Sequence, residues 1–213
     1  MGIRQTTTWH EDRRLLREPH PPKPAIPRNL MDDEQFNRGF SCLRRFGLAF
    51  DAWLYHPQID DVRRLAMRHS EVPIVIDHIG GPIRAGAPNA ISQSLREWRQ
   101  LVRELAGCDN VRLKIGGFGM RIAGGNWEQK APAPSSEELA AAWQPWVETC
   151  IETFGPTRCM FESNFPVDKG SFSYTAVWNA FKRLSRQYSP EERAALFHGT
   201  AAATYRISAS ADA

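Results

Sequence analysis

The sequence predicts an α/β fold with parallel strands. Three observations point there. Short apolar runs alternate with longer amphipathic stretches along nearly the whole chain. Such alternation implies parallel strands joined by right-handed crossovers. The run at 74–77 begins with Ile74, Val75 and Ile76, the pattern of a strand buried on both faces of a parallel sheet. Polar residues recur at the ends of these runs, where ligands meet the strands in such folds. Two architectures fit, a doubly wound sheet and part of a (β/α) barrel. No GxGxxG or GxxxxGK[ST] follows any run, so no motif supports a nucleotide fold.

Residues 2–5 open as the end of a strand. Residues 17–28 hold five prolines and read as loop, because proline breaks both helix and central strand. Asp32 is the expected cap of a helix to Phe46, stopped by Gly47, with Phe36, Phe40 and Leu43 on one face. Residues 48–55 (LAFDAWLY) read as a strand ended by Pro57. Residues 60–69 read as a helix with acids at its start and bases at its end. A strand at 74–77 and a turn region at 80–88 follow.

Leu95, Trp98, Val102 and Leu105 mark a helix over 91–106, and residues 111–115 are the next strand. The stretch 116–134 contains five glycines and two prolines and reads as a long loop, of a length that is usually functional. Ser135 and Glu138 form a capping pair for a helix to Phe154. Residues 158–161 are another strand. Helices at 174–188 and 190–207 close the fold, the second with proline at its first position. The reading is one domain over 1–207 and a disordered tail at 208–213.

Composition narrows the function classes. Of 213 residues, 42% are hydrophobic and 24% charged, which excludes wholesale disorder. The 27 Lys and Arg are interspersed with 24 Asp and Glu, for a net charge of +3, so no nucleic-acid footprint follows. Apolar runs are too short to cross a bilayer and the first ten residues have no apolar signal core. The expectation is a cytoplasmic protein without membrane or nucleic-acid partners. The four cysteines have no CxxC spacing and read as buried thiols.

The strand ends bring Arg4, Gln5, Tyr55, His56, Gln58, Asp77, His78, Lys114, Glu162, Ser163, Asn164 and Asp168 toward one rim. His78 can ligate a divalent metal or act as a general base; its bland alternative is a hydrogen-bonded structural histidine. Asp168 can take a proton or bind metal, whereas Asn164 only donates or accepts hydrogen bonds. Arg4 can clamp a substrate carboxylate or form an ion pair. His56 can meet substrate or simply end its strand. Lys114, on a buried strand, must be paired or point somewhere useful. His10, His20, His69 and His198 have no ligand spacing, and Cys159 lies in an apolar strand.

The segments GIRQ, VIDHIGGP, LKIGGFGM, CMFESNFPVDK and LFHGTAAATYRI together resemble the amidohydrolase-related family. These are (β/α)8-barrel hydrolases that include pyrone-dicarboxylate lactonase and sugar lactonases. The resemblance runs from Gly2 to Ile207. It implies that 2–5 is the fourth barrel strand, 48–55 the fifth, 74–78 the sixth, 111–115 the seventh and 158–163 the eighth. His78 then matches the active-site histidine of strand six, and Arg4 faces substrate. Asn164 falls where many members carry an aspartate, in a Gly-Ser-Asp-Trp-Pro-like motif that here reads Glu162-Ser163-Asn164-Phe165-Pro166.

Two departures shape the expectations. The family's opening His-x-His strand has no counterpart, so the chain reads as the C-terminal five strands of a barrel. Its open sheet edges would then lack partners for their apolar faces and could pair with a second copy. Asn164 also replaces the acid that would ligate metal. The resemblance implies a divalent metal, Zn or Mn, for the full-length form, though some members work without one. Here His78 is the metal-ligand candidate, short of the three protein ligands of a catalytic zinc site.

The expected reaction is hydrolysis of a lactone or similar cyclic ester of a small carboxylated or sugar-derived substrate. His78 would activate water, with Asn164 or Asp168 positioning it. Arg4, His56 and Lys114 would bind substrate, and 116–134 would cover the mouth. Decarboxylation on the same scaffold and a non-catalytic remnant are the alternatives.

Overall fold

A computed structural model describes residues 1–11, 26–84 and 88–207, with only the backbone for 88–90. Most of the expected proline-rich loop, residues 85–87 of the 80–88 turn and the tail at 208–213 lie outside the described residues.

Five parallel strands form one sheet in the order β1 to β5: β1 (Gly2–Thr6), β2 (Ala49–Trp53), β3 (Ile74–Ile76), β4 (Val111–Ile115) and β5 (Cys159–Phe161). Every neighbour is a sequence neighbour, as in an arc of a (β/α)8-type barrel. Helices α1 (Glu34–Phe46), α2 (Ile59–Arg68), α3 (Pro88–Leu105) and α4 (Ser136–Phe154) cross between successive strands. After β5 come α5 (Tyr174–Leu184), α6 (Pro190–Ala194) and α7 (Thr200–Tyr205).

Alternate strand residues point to opposite faces. One face packs Phe50, Ala52, Ile74, Ile76, Leu113, Ile115, Cys159 and Phe161 into the main core with the helices. Trp98 of α3 and Phe181 of α5 are fully buried there. The other face carries Arg4, Asp51 and Lys114 on the strands, and Asp77 just past β3. Charge thus gathers on the inner face beside Val75 and Met160, while Ile3 on the edge strand β1 is 45% exposed.

Several boundaries shift, each for a local reason. Asp33, not Asp32, caps α1, accepting a 2.7 Å bond from the Phe36 N–H. Asp32 ends a short 3-10 turn and pairs with Arg64 and Arg68 of α2. The second strand covers 49–53 rather than 48–55, because a 3-10 turn with Pro57 inside it begins at His56. The sixth-strand assignment through His78 shortens to Ile76, and the last strand begins at Cys159. Helix α3 starts at Pro88, three residues before the expected 91, and α5 ends at Leu184 rather than 188.

The single closing helix expected at 190–207 is interrupted by a π turn over Ala195–Gly199. The Ser135–Glu138 capping pair forms as read, and a second box, Ser189 with Glu192, opens α6 beside its first-position proline. The first strand meets the last described helix, with the Met1 ammonium donating to the Tyr205 carbonyl at 2.6 Å and Arg206 to that of Gly47.

Candidate active site

The site grows out of the end of β3. Asp77 keeps extended backbone, and His78, Ile79, Gly80 and Gly81 then all adopt left-handed conformations, with φ of 55°, 50°, 74° and 51°. For His78 and Ile79 this is strained, at a cost of about 1–3 kcal/mol each, and such strain clusters at functional sites. The surroundings hold the turn in place. The His78 N–H donates to Glu162 Oε1 at 3.0 Å, and the Trp98 indole donates to the Ile79 carbonyl at 2.7 Å.

Glu162 follows β5 and also holds the His78 ring through Nδ1. Burial disfavours the imidazolium, but the Glu162 charge outweighs it and the His78 pKa is raised. Burial likewise works against the Glu162 carboxylate, and His78 more than compensates, holding its pKa below the usual range. The edge of Trp53 packs on the His78 ring, with centroids 4.8 Å apart. Among the described residues, Nε2 of His78 has no hydrogen-bond partner.

Asp168 is 1% exposed, and both of its oxygens are engaged. Oδ1 accepts from the Asn164 amide at 2.8 Å and Oδ2 from the Gly119 N–H at 3.0 Å. Burial pushes its pKa up to about 6 against the pull of those two donors. His78 is near enough for its charge to act on Asp168. The 116–134 stretch links the two groups. A Cβ on Gly117, at φ +72°, would sit 2.6 Å from the His78 Cβ, so only glycine fits. Ser171 secures the same stretch through the Gly119 carbonyl at 2.8 Å. Met120 and Ile122 pack beside Trp53, Tyr55 and Ile83 in a small apolar cluster.

The other sequence candidates make ion pairs or hydrogen bonds within the chain. Arg4 forms ion pairs with Asp77 at 3.1 Å and Asp51 at 3.5 Å. The Lys114 ammonium lies between Asp51 and Asp77, at 2.5 and 2.9 Å. Burial opposes its charge, and the two carboxylates raise its pKa despite that. His56 accepts from the Ile83 N–H at 3.1 Å and lies 3.4 Å from the Ser94 hydroxyl. Burial pushes its pKa down to about 4, so it is neutral at physiological pH.

Glu162, Asp51 and Asp77 are the residues to which the sequence assigns no role. For Glu162 the available signal is a carboxylate where the motif has glycine. For Asp51 it is one acid in an otherwise apolar strand, and for Lys114 a buried base in a strand whose other base, Arg112, is only partly buried.

Among the described residues, no three His, Cys, Asp or Glu side chains converge as metal ligands. His78 Nδ1 is committed to Glu162, and the Asp168 oxygens to N–H donors. These side chains do not fit a catalytic metal by themselves.

Comparison with known proteins places this arrangement. The amidohydrolase family model matches residues 11–207. The chain belongs to the amidohydrolase family. It is 37% identical over 208 residues to an uncharacterized protein, y4mH, of Sinorhizobium fredii, covering 97% of this chain and 61% of that one. An L-fucono-1,5-lactonase of Burkholderia multivorans is 30% identical over 190 residues, covering 89% of this chain and 62% of that one.

An amidohydrolase of Burkholderia multivorans, solved with bound zinc, superposes with a TM-score of 0.76 at 28% identity over 97% of this chain and 64% of that one. The chain thus spans about three fifths of the length of the curated relatives it matches. Among the described residues no helix is long and apolar enough to cross a membrane.

Proposed function

We propose that this amidohydrolase chain carries the reacting half of a hydrolase that opens a lactone or similar cyclic ester of a sugar-derived or carboxylated acid. The observation that carries the reading is the His78–Glu162 pair, with Nε2 of His78 left free among the described residues. The similarity to an L-fucono-1,5-lactonase supports the substrate class.

His78 Nε2 takes a proton from water as the water oxygen attacks the lactone carbonyl. Glu162 holds Nδ1–H and stabilises the imidazolium that forms, as a buried carboxylate does for a general-base histidine. Collapse of the tetrahedral adduct breaks the ring C–O bond, and the imidazolium returns its proton to the leaving alkoxide. Asp168, with Asn164, holds the 116–134 stretch over this point. Arg4 screens Asp51 and Asp77, and its half-exposed guanidinium edge is the cation nearest to hand for a substrate carboxylate.

The test is hydrolysis of L-fucono-1,5-lactone and of a panel of carboxylated lactones, followed by acid release. His78→Ala is expected to lower kcat/KM by about 10²–10⁴-fold. Unchanged kcat/KM in that variant removes His78 from the reaction.

A further inference from the structure

Of the charged inner face only Arg4 is given a part in the proposed reaction, yet the whole cluster adjoins His78. Lys114 is 8% exposed and Asp77 is wholly buried. The Lys114 ammonium bridges Asp51 and Asp77. Tyr205, from the last helix α7, donates its hydroxyl to the second oxygen of Asp51 at 2.7 Å. Its ring centroid lies 5.4 Å from the Lys114 nitrogen. Arg4 completes the cluster from β1 through Asp77. Four strands and the last helix thus converge on two carboxylates.

Buried ion clusters are a poor way to gain stability, since desolvation consumes most of the attraction, and apolar replacements of equal volume are often as stable. What the cluster does have is position. Asp77 is bonded directly to His78, the first residue of the left-handed turn. Its N–H donates to the Ala52 carbonyl at 3.0 Å, and its carbonyl accepts from Gly80 at 3.0 Å. A carboxylate locked by two cations gives that strained turn a fixed origin.

We propose that Lys114, clamped between Asp51 and Asp77 and locked by Tyr205, is a positioning residue that sets the His78 turn. The last helix thereby becomes a condition for presenting the His78 ring to Glu162. Lys114 touches neither the reacting atoms nor a free ligand surface, so its effect passes through Asp77. The inference rests on the reading of His78 as the reacting base only for its meaning in catalysis; its test reads the His78 ring itself.

The test is imidazole ¹⁵N NMR of the 213-residue protein with labelled histidine, at fixed pH, with folding monitored by circular dichroism. In the wild type, the His78 Nδ1 proton bonded to Glu162 gives a downfield resonance. Tyr205→Phe is expected to keep the fold and to shift or broaden that resonance. Lys114→Met is expected to abolish it, and Lys114→Arg to restore part of it.

Thr149→Val, which deletes a buried hydroxyl bonded to the Pro145 carbonyl away from the cluster, is expected to leave it untouched. Wild-type His78 signals in folded Lys114→Met or Tyr205→Phe overturn the proposal, as does an equal change in Thr149→Val. If Lys114→Met does not fold, Tyr205→Phe decides by the same criterion. These spectra read the ring whether or not the chain hydrolyses a lactone, so failure of the hydrolysis assay leaves the outcome for Lys114 unchanged.

Discussion

At the scale of single residues the site is a problem of competing electrostatics. Desolvation alone would push the His78 pKa down, and Glu162 reverses the sign. The proposed hydrolysis needs neutral His78, so the acid limb of kcat/KM against pH is expected above the ordinary histidine value near 6.5. Glu162→Gln removes the charge that raises it. The limb should move to lower pH while the maximal rate falls, and an unmoved limb would mean that Glu162 does not face the titrating group.

Asp168 gives a second pH signature. Its folded pKa of about 6 lies above the unfolded 3.8, so the folded state binds the extra proton between those values. Stability from this group is therefore present in acid and lost as pH rises from about 4 through 6. A shift of this size corresponds to roughly 2–3 kcal/mol across the window. Asp168→Asn should flatten that slope in urea melts taken at successive pH values. The residue roles are unevenly legible in the sequence. His78 stands out because a histidine at a strand end is chemically conspicuous. Glu162 does not, because its meaning depends on which strand end lies across from it.

At the scale of elements, local chemistry decides most boundaries. The Ser135–Glu138 box fixes the start of α4 with bonds of 3.2 and 2.9 Å. Ser135→Ala is expected to cost about 1 kcal/mol in a denaturant melt, the usual worth of such a cap. That cap, the stop at Gly47 and the proline start of α6 are readable from the chain, because each acts within a few residues. The π turn at Ala195–Gly199 is not, since nothing within the segment demands it and it packs against β5. The same holds for the left-handed turn at His78. Gly80 and Gly81 hint at it, but His78 and Ile79 enter that region only because Glu162 and Trp98 hold their backbone atoms.

At the scale of the molecule, one face of the sheet makes the core and the other carries the charged cluster beside the His78 turn. Trp98 sits in that core fully buried, packed on Trp146 with centroids 4.6 Å apart, and bonds the turn that carries His78. Trp98→Ala is expected to cost about 3–5 kcal/mol, the usual penalty for deleting a buried aromatic. A thermal melt should show it, and a near-native midpoint would mean that the core does not bear on the site.

The sequence by itself determined the strand and helix order, the parallel sheet, the helix caps and the His78 strand end. Each follows from periodicity or from contacts a few residues apart. Only the tertiary structure decided that Arg4 and Lys114 are neutralised by Asp51 and Asp77, that His56 is neutral, and that Glu162 orients His78. The state of His56 follows from burial; the others depend on charges brought within about 3–3.5 Å from separate strands, where such a neighbour outweighs what is adjacent in the chain.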